Sequence, residues 1–227
     1  MTAVLWLLLL LPLVGGLLAQ RRVQETFMRY RRVPNHARIS GSEVATKLLA
    51  EHGLQRVRVE EIPGALSDHY GGAAGALRLS EPVATERSVA ALGIAAHEVS
   101  HAYQDADGNR AYRIRKAVAE PLARFAPFSA LFFIGGFWFG IPLLAALSLI
   151  YVFGLVVFAL ATLPVELGAS RRALVLLEHS HLADREEVSE VRSVLRAAAF
   201  TYVAGLGRQI GFFAALILVA EAMDRAT

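Results

Sequence analysis

Residues 125–164, FAPFSALFFIGGFWFGIPLLAALSLIYVFGLVVFALATLP, form a run of 40 residues without a charged side chain. A single helix of that length would measure about 60 Å, which is about twice the thickness of the hydrocarbon core of a bilayer. The run therefore predicts two membrane-spanning helices that fold back on each other. The turn is expected in residues 135–142 (GGFWFGIP), because glycine and proline weaken a helix and Trp138 suits a membrane interface.

Two other stretches are apolar enough to cross a bilayer. Residues 2–19 carry no charge, and the basic residues Arg21 and Arg22 follow them. A secretory signal peptide would carry its basic residues before the apolar run, so we expect an uncleaved membrane anchor. Residues 199–222 form the fourth candidate span, which Arg208 interrupts near its middle.

These stretches predict a mainly α integral membrane protein with about four transmembrane helices and a small α+β insert. The predicted organisation is a transmembrane anchor at 1–20, a cytoplasmic α+β segment at 21–124, a transmembrane hairpin at 125–163, a cytoplasmic helical segment at 164–198 and a transmembrane helix at 199–222.

The basic residues indicate the orientation of these segments. Of 23 lysines and arginines, 16 lie in residues 20–124 and five in residues 163–198, whereas the loop of the hairpin carries no charge. By the positive-inside rule, both polar segments face the cytoplasm and both chain termini lie outside. The formal net charge of +3 then reflects the basic residues that face the cytoplasm rather than a nucleic-acid site. We therefore expect the lipid bilayer as a partner and no nucleic acid.

Composition narrows the chemistry that the chain can perform. Hydrophobic residues make up 55% of the sequence, which is high for a soluble protein. The absence of cysteine excludes disulfides, thiolate metal ligands, iron–sulfur clusters and thiol catalysis. Any metal must therefore be held by His, Asp or Glu side chains.

The α+β segment contains local patterns for helices and short strands. Residues 40–43 (SGSE) have the form of a capping box at the start of a helix. Residues 55–62 (QRVRVEEI) alternate like a strand, and residues 75–80 (GALRLS) predict a second one. A further helix is expected to start between residues 85 and 88 and to run through Gln104.

That further helix carries the sequence HEVSH at residues 97–101. His97 and His101 lie four positions apart, so both imidazoles project from one face and can reach one ion. Glu98 lies about 100° round the helix, where its carboxylate would reach a water beside the metal rather than the metal itself. Zinc lowers the pKa of such a water, and the glutamate takes its proton. The alternative is a structural histidine pair with Glu98 in a surface salt bridge, which the small apolar residues before the motif disfavour.

A catalytic zinc site needs a third protein ligand on the same side of the membrane. Glu166 follows the apolar hairpin at once, and the two crossings of the hairpin return the chain to the cytoplasmic side. A carboxylate just past the end of a span can face the two histidines. The alternative is an acidic residue at a helix N-terminus, favoured there by the helix dipole.

Three polar residues, Asp68, His69 and Tyr70, cluster in a predicted loop before the second strand. His69 or Tyr70 could donate to the oxyanion of a tetrahedral intermediate, and Asp68 could orient a zinc-binding histidine. The alternative is a set of hydrogen bonds that only fix the loop.

The sequence resembles the YugP-like neutral zinc metallopeptidases of bacterial membranes. The resemblance rests on SGSEVATKLL, RVEEIPGALSDHY, LRLS, SVAALGIAAHEVSHAYQ, LPVELGASRRALVLLE and AAAFTYVAG, which follow one another in the order typical of the family. The arrangement that this family implies is similar to that of the HtpX-type membrane proteases, in which a transmembrane hairpin also separates the zinc helix from a glutamate ligand.

The resemblance implies a gluzincin-type hydrolase of the bacterial plasma membrane. It implies His97 and His101 as zinc ligands, Glu98 as the base and Glu166 as the third ligand, with Ser170 supporting the site. Two departures stand out. Residues 71–75 read GGAAG where the family carries Asp-Pro-Arg and a lysine, and this difference affects the substrate contacts expected of that loop. Ser100 stands where the family commonly has a glycine.

The sequence thus predicts a membrane-embedded zinc endopeptidase that hydrolyses membrane-associated or unfolded polypeptides. Two alternatives remain at this point. One is a non-catalytic membrane protein that zinc stabilises, and the other is a zinc hydrolase acting on a substrate that is not a peptide.

Overall fold

The computed structural model describes residues 2–71 and 75–224. Within them the chain is mainly helical and contains one small sheet. Its elements, in chain order, are α1 Thr2–Tyr30, α2 Gly41–Glu51, β1 Val59–Ile62, β2 His69–Gly71, β3 Ala76–Ser80, α3 Glu81–Thr85, α4 Val89–Ala106, α5 Arg110–Phe125, α6 Ser129–Phe133, α7 Pro142–His179 and α8 Arg185–Asp224.

Four helical stretches of the described chain are long and apolar enough to cross a membrane. They are Ala3–Tyr30, Arg110–Trp138, Pro142–His179 and Arg185–Ala222. The predicted architecture is confirmed at this level: a mainly helical chain with four stretches of membrane length and a small sheet. Each stretch also continues beyond the apolar run that marks it in the sequence, because the flanking polar residues remain helical.

The described residues divide into two compact units. We call one the hairpin unit, made of residues 2–20, 110–164 and 200–224, and the other the sheet unit, made of residues 21–71, 75–109 and 165–199.

The apolar hairpin of the hairpin unit turns inside the stretch predicted from the sequence. A π-helix at Ile134–Trp138 follows α6, and α7 begins at Pro142. Gly140 in the turn has a φ of +65°, a left-handed conformation that glycine adopts without strain. Gly136 lies against the backbone of α7, since a Cβ there would stand 2.5 Å from the Cα of Ala145. The missing side chain is what lets the two arms of the hairpin approach each other.

In the sheet unit, the three strands lie in the order β1-β3-β2. β1 runs parallel to β3, with Val59 opposite Leu77, and β2 runs antiparallel to it, with His69 opposite Arg78. The prediction that Asp68, His69 and Tyr70 all lie in a loop was wrong, because His69–Gly71 form β2. This three-residue strand exists only through pairing with β3, and so short a segment carries no alternation that marks it in the sequence. Residues 72–74 of the GGAAG departure lie outside the described residues.

The predicted capping box starts α2. Ser40 Oγ accepts a hydrogen bond from the Glu43 amide at 3.3 Å, and Glu43 Oε2 accepts one from the Ser40 amide at 2.6 Å. The apolar face of α2 is fully buried, including Leu48 and Leu49. Each buried leucine contributes roughly 1.5–3 kcal/mol to the stability of this core. The hydroxyl of Tyr103 on α4 donates to the Leu48 carbonyl, which ties the two helices together.

α4 forms the centre of the sheet unit. It begins after the N-cap Ser88, whose hydroxyl accepts from the Ala91 amide at 3.2 Å, and it runs to Ala106, as the sequence predicts. Most of its residues are buried. At Gly93 an added Cβ would meet the side chain of Val191, so this glycine allows α8 to pack closely against α4.

The packing of the hairpin predicts a steric effect at Gly136. Replacing it with alanine should lower the melting temperature in detergent, because the new methyl group meets backbone atoms and overpacking costs about 1–3 kcal/mol. Gly205→Ala is the matched control, since nothing lies within 4 Å of a Cβ at that position. A Gly136→Ala protein that melts at the same temperature as Gly205→Ala would contradict this packing.

Candidate metal centre

His97, His101 and Glu166 bring three metal-binding atoms together inside the sheet unit. Glu166 Oε2 lies 3.2 Å from Nε2 of His97 and 3.5 Å from Nε2 of His101. The two imidazole rings stand edge to face with centroids 4.8 Å apart. The three donor atoms all lie within 4.8 Å of one another. The helical spacing of the histidines aligns them, and α7 supplies the carboxylate from 65 residues further along the chain.

The centre is nearly closed to solvent. The side chains of Glu166, His101 and His97 are 2%, 7% and 12% exposed. A carboxylate buried this deeply is costly unless it is paired or binds a metal. Burial would lower the pKa of His101, but its hydrogen bond with Glu166 and the charges of Glu98 and Glu166 raise it above its ordinary value. The set of two imidazoles and one carboxylate is a donor set that zinc takes in proteins.

The second nitrogen of each histidine also has a hydrogen-bond partner. Nδ1 of His101 lies 2.9 Å from the side-chain oxygen of Gln104, and the Gln104 amide nitrogen donates to the Val165 carbonyl at 2.8 Å. Because a carbonyl only accepts, Val165 fixes which end of the Gln104 amide faces His101. The amide oxygen then requires a proton on Nδ1, so Nε2 of a neutral His101 keeps its lone pair on the side of Glu166.

The sequence analysis missed Gln104. A signal for it exists, because a residue three positions after His101 lies on the same face of the helix. Gln104 is also a polar side chain near the end of a helix that is otherwise mostly apolar and buried. Its partner is a backbone carbonyl on another helix, which no local pattern predicts.

Ser170 is the partner of the other histidine. Its hydroxyl lies 3.3 Å from Nδ1 of His97. Ser170 follows Glu166 by four residues on α7, so both side chains project from neighbouring positions on one helical face. The supporting position that the family resemblance implies is therefore in contact with His97.

Glu98 lies outside the cluster of donor atoms, on the side of the sheet. Its Oε2 accepts a hydrogen bond from the backbone amide of Tyr70 in β2 at 2.9 Å. The residue is 7% exposed. A bond from a rigid strand amide fixes the direction of this carboxylate, and its charge acts on His101 as described above.

The remaining predicted residues make contacts of other kinds. Asp68 accepts from the amide and the hydroxyl of Ser80 at 2.7 and 3.0 Å, and burial raises the pKa of the Asp68 carboxyl despite these bonds. His69 is exposed, and its Nδ1 lies 2.8 Å from the Ser67 carbonyl. The Tyr70 hydroxyl donates to Asp105 at 3.1 Å. The bonds of Asp68 and Tyr70 hold this part of the chain against β3 and α4, whereas the bond of His69 is local.

A second group of possible ligands, His36, Asp184 and Glu187, lies elsewhere in the sheet unit. Its geometry has a simpler explanation. The Glu187 amide donates to the Asp184 side chain at 2.9 Å, which caps the start of α8, and His36 pairs with Asp184 at 2.7 Å. Because His36 and Asp184 are exposed, this group lacks the enclosure of the first.

Known proteins resemble this chain over most of its length. The sequence model of the family described as "Putative neutral zinc metallopeptidase" matches residues 5–221. The "Putative membrane protease YugP" of Bacillus subtilis (strain 168) is 39% identical over 187 residues, which cover 82% of this chain and 83% of the relative. No solved structure matches the chain. The resemblance predicted from the sequence is confirmed, and the chain belongs to this family of neutral zinc metallopeptidases.

Proposed function

We propose that the chain is a membrane-embedded zinc endopeptidase of the gluzincin type, with His97, His101 and Glu166 as ligands and Glu98 as the general base. The observation that carries the proposal is the convergence of two imidazole nitrogens and one buried carboxylate oxygen within 4.8 Å. Family membership supports the zinc and the peptidase chemistry.

The number of donors favours catalysis over a purely structural role. Structural zinc sites are closed by four protein ligands, whereas catalytic sites use three and leave one position open. The cluster offers three donors among the described residues. The competing function is a non-catalytic one, in which the zinc ion only holds α4 and α7 together. A hydrolase of a non-peptide substrate would use the same ligands.

The chain's own residues have distinct tasks in the proposed reaction. A bound zinc ion would supply a Lewis acid that polarises the peptide carbonyl and lowers the pKa of water. Glu98 takes a proton from the attacking water and delivers it to the leaving amine. The Tyr70 amide holds Oε2 of Glu98, which leaves Oε1 for proton transfer. Gln104 and Ser170 hold the two imidazoles in orientation.

We infer further that the centre faces the cytoplasm of a bacterial plasma membrane and acts on polypeptides. The support for the orientation is the concentration of lysine and arginine in residues 20–124 and 163–198. In this arrangement the lipid bilayer surrounds the hairpin unit. Membrane-associated or unfolded polypeptides are the substrates, since such chains present extended segments to a metal centre.

Glu98→Gln should separate catalysis from zinc binding. The variant keeps the size of the side chain but cannot accept a proton, so we expect cleavage to fall by about 10²–10⁴-fold while zinc content stays at the wild-type level. Casein hydrolysis and zinc content of the same purified sample would be compared. Glu51→Gln, on the exposed end of α2, is the matched control. Undiminished cleavage by Glu98→Gln would reject the proposed mechanism.

Glu166→Ala should weaken zinc binding more than the substitution of any residue that only hydrogen-bonds to a zinc ligand. Losing an outer-sphere partner typically costs about 10–100-fold in metal affinity, and loss of a ligand should exceed that. Competition with a chromophoric chelator would give the affinity. Glu178→Gln is the control, because this glutamate lies on the same helix and is exposed. Equal affinities of the two variants would show that Glu166 is not a ligand.

Substitutions of Gln104 should separate its two hydrogen bonds. Gln104→Leu removes both and should lower zinc affinity about 10–100-fold. Gln104→Glu keeps an acceptor for Nδ1 of His101 but cannot donate to Val165, so it should bind zinc more tightly than the leucine variant. If Gln104→Leu binds zinc as tightly as wild type, Gln104 does not position the ligand.

A further inference from the structure

A groove in the sheet unit runs between the α7 and α8 helices beside the metal centre. It has a volume of about 430 Å³. Apolar side chains form most of its lining, among them Leu167, Leu174 and Leu195. Three arginines, Arg171, Arg192 and Arg196, are exposed at its rim. We refer to it as the arginine groove.

The charge of the arginine groove is unbalanced. Glu178 is the single acidic residue of its lining, against the three rim arginines. None of the three makes an ion pair with a carboxylate in residues 2–71 or 75–224. The neighbouring Arg172, by contrast, pairs with Asp107 at 2.7 Å. Three unpaired guanidinium groups around an apolar floor suit an occupant that has apolar and acidic groups side by side.

Ser170 connects the groove to the metal centre. The residue lines the groove, and its hydroxyl lies 3.3 Å from Nδ1 of His97. His97 is also the most exposed of the three predicted ligands. An occupant of the groove would therefore lie next to the side of the centre that solvent reaches.

The length of the groove favours a polypeptide. From Leu167 to Glu178 α7 advances by eleven residues, or about 16 Å. An extended chain rises about 3.3 Å per residue, so roughly five residues fit along the groove. A phospholipid headgroup would satisfy the arginines but would occupy only a small part of this length.

We propose that the arginine groove binds the substrate polypeptide and selects segments in which large apolar residues alternate with acidic ones. The inference rests on the proposed peptidase function, because it names the substrate class of that site. The leucines of the floor hold the apolar side chains, and the arginines of the rim hold the carboxylates.

Binding can be tested without cleavage. The zinc-loaded Glu98→Gln protein in phosphatidylcholine nanodiscs would be titrated into fluorescent peptides of alternating leucine and glutamate, leucine and glutamine, or leucine and lysine. Several exposed ion pairs acting together should make the glutamate peptide bind about tenfold more tightly than the lysine peptide. The Arg192→Glu/Arg196→Glu double variant should lose or reverse that preference. Arg56→Glu, an exposed arginine away from the groove, should keep it.

The outcomes separate this inference from the proposed function. Equal binding of the three peptides, or an unchanged preference in the double variant with normal zinc content, would overturn the groove assignment while leaving casein cleavage by wild type intact. Retained cleavage by Glu98→Gln would reject the mechanism and leave the binding result standing. Native mass spectrometry would show whether each protein retains phosphatidylglycerol. If the double variant loses this lipid but binds the peptides as before, the groove is a lipid site and the inference fails.

Discussion

The buried carboxylate of Glu166 is the constraint around which the sheet unit is organised. Its side chain is 2% exposed, so its negative charge needs a partner inside the protein. The two imidazoles of α4 are that partner. Contact with both rings requires that α4 and the part of α7 after residue 164 keep a fixed register. The bond from Gln104 to the Val165 carbonyl sets that register one residue before the carboxylate. Displacing either helix would leave a charge, an amide or an imidazole without its partner, and each of these is costly when buried.

The register between α4 and α7 joins two segments that the apolar hairpin separates in the chain. The histidines of α4 and Glu166 lie in one compact unit, yet the whole apolar run of residues 125–164 separates them in the chain. A chain that crosses a bilayer an even number of times returns to the side it left. The hairpin is therefore compatible with a centre assembled from two distant segments, whereas a single crossing would have placed Glu166 on the opposite side from the histidines.

The features that the sequence predicted well depend on neighbours along the chain. The Ser40 capping box, the start of α4 at Ser88 and the turn near Gly140 each follow from a few adjacent residues. The features that it missed depend on tertiary partners. β2 needs β3, and the role of Gln104 needs the Val165 carbonyl. Glu166 lies between these cases, because its position directly after the apolar run made it a candidate, but its contact with both histidines required the packing of α7 on α4.

The same contacts explain why one of the three predicted ligands is more exposed than the other two. His101 is held by Gln104 and buried against the interior, while His97 is more exposed and has Ser170 as its partner. Glu98, the proposed base, accepts a hydrogen bond from the Tyr70 amide of β2 and so lies on the side of the sheet. The arginine groove lies beside the centre, because its lining includes Ser170, which contacts His97. In the proposed reaction, a water beside the donors would lie between Glu98, held by β2, and a substrate held between α7 and α8. This arrangement supports the proposed hydrolysis over a zinc ion that only joins two helices, because such an ion has no use for an oriented carboxylate beside it.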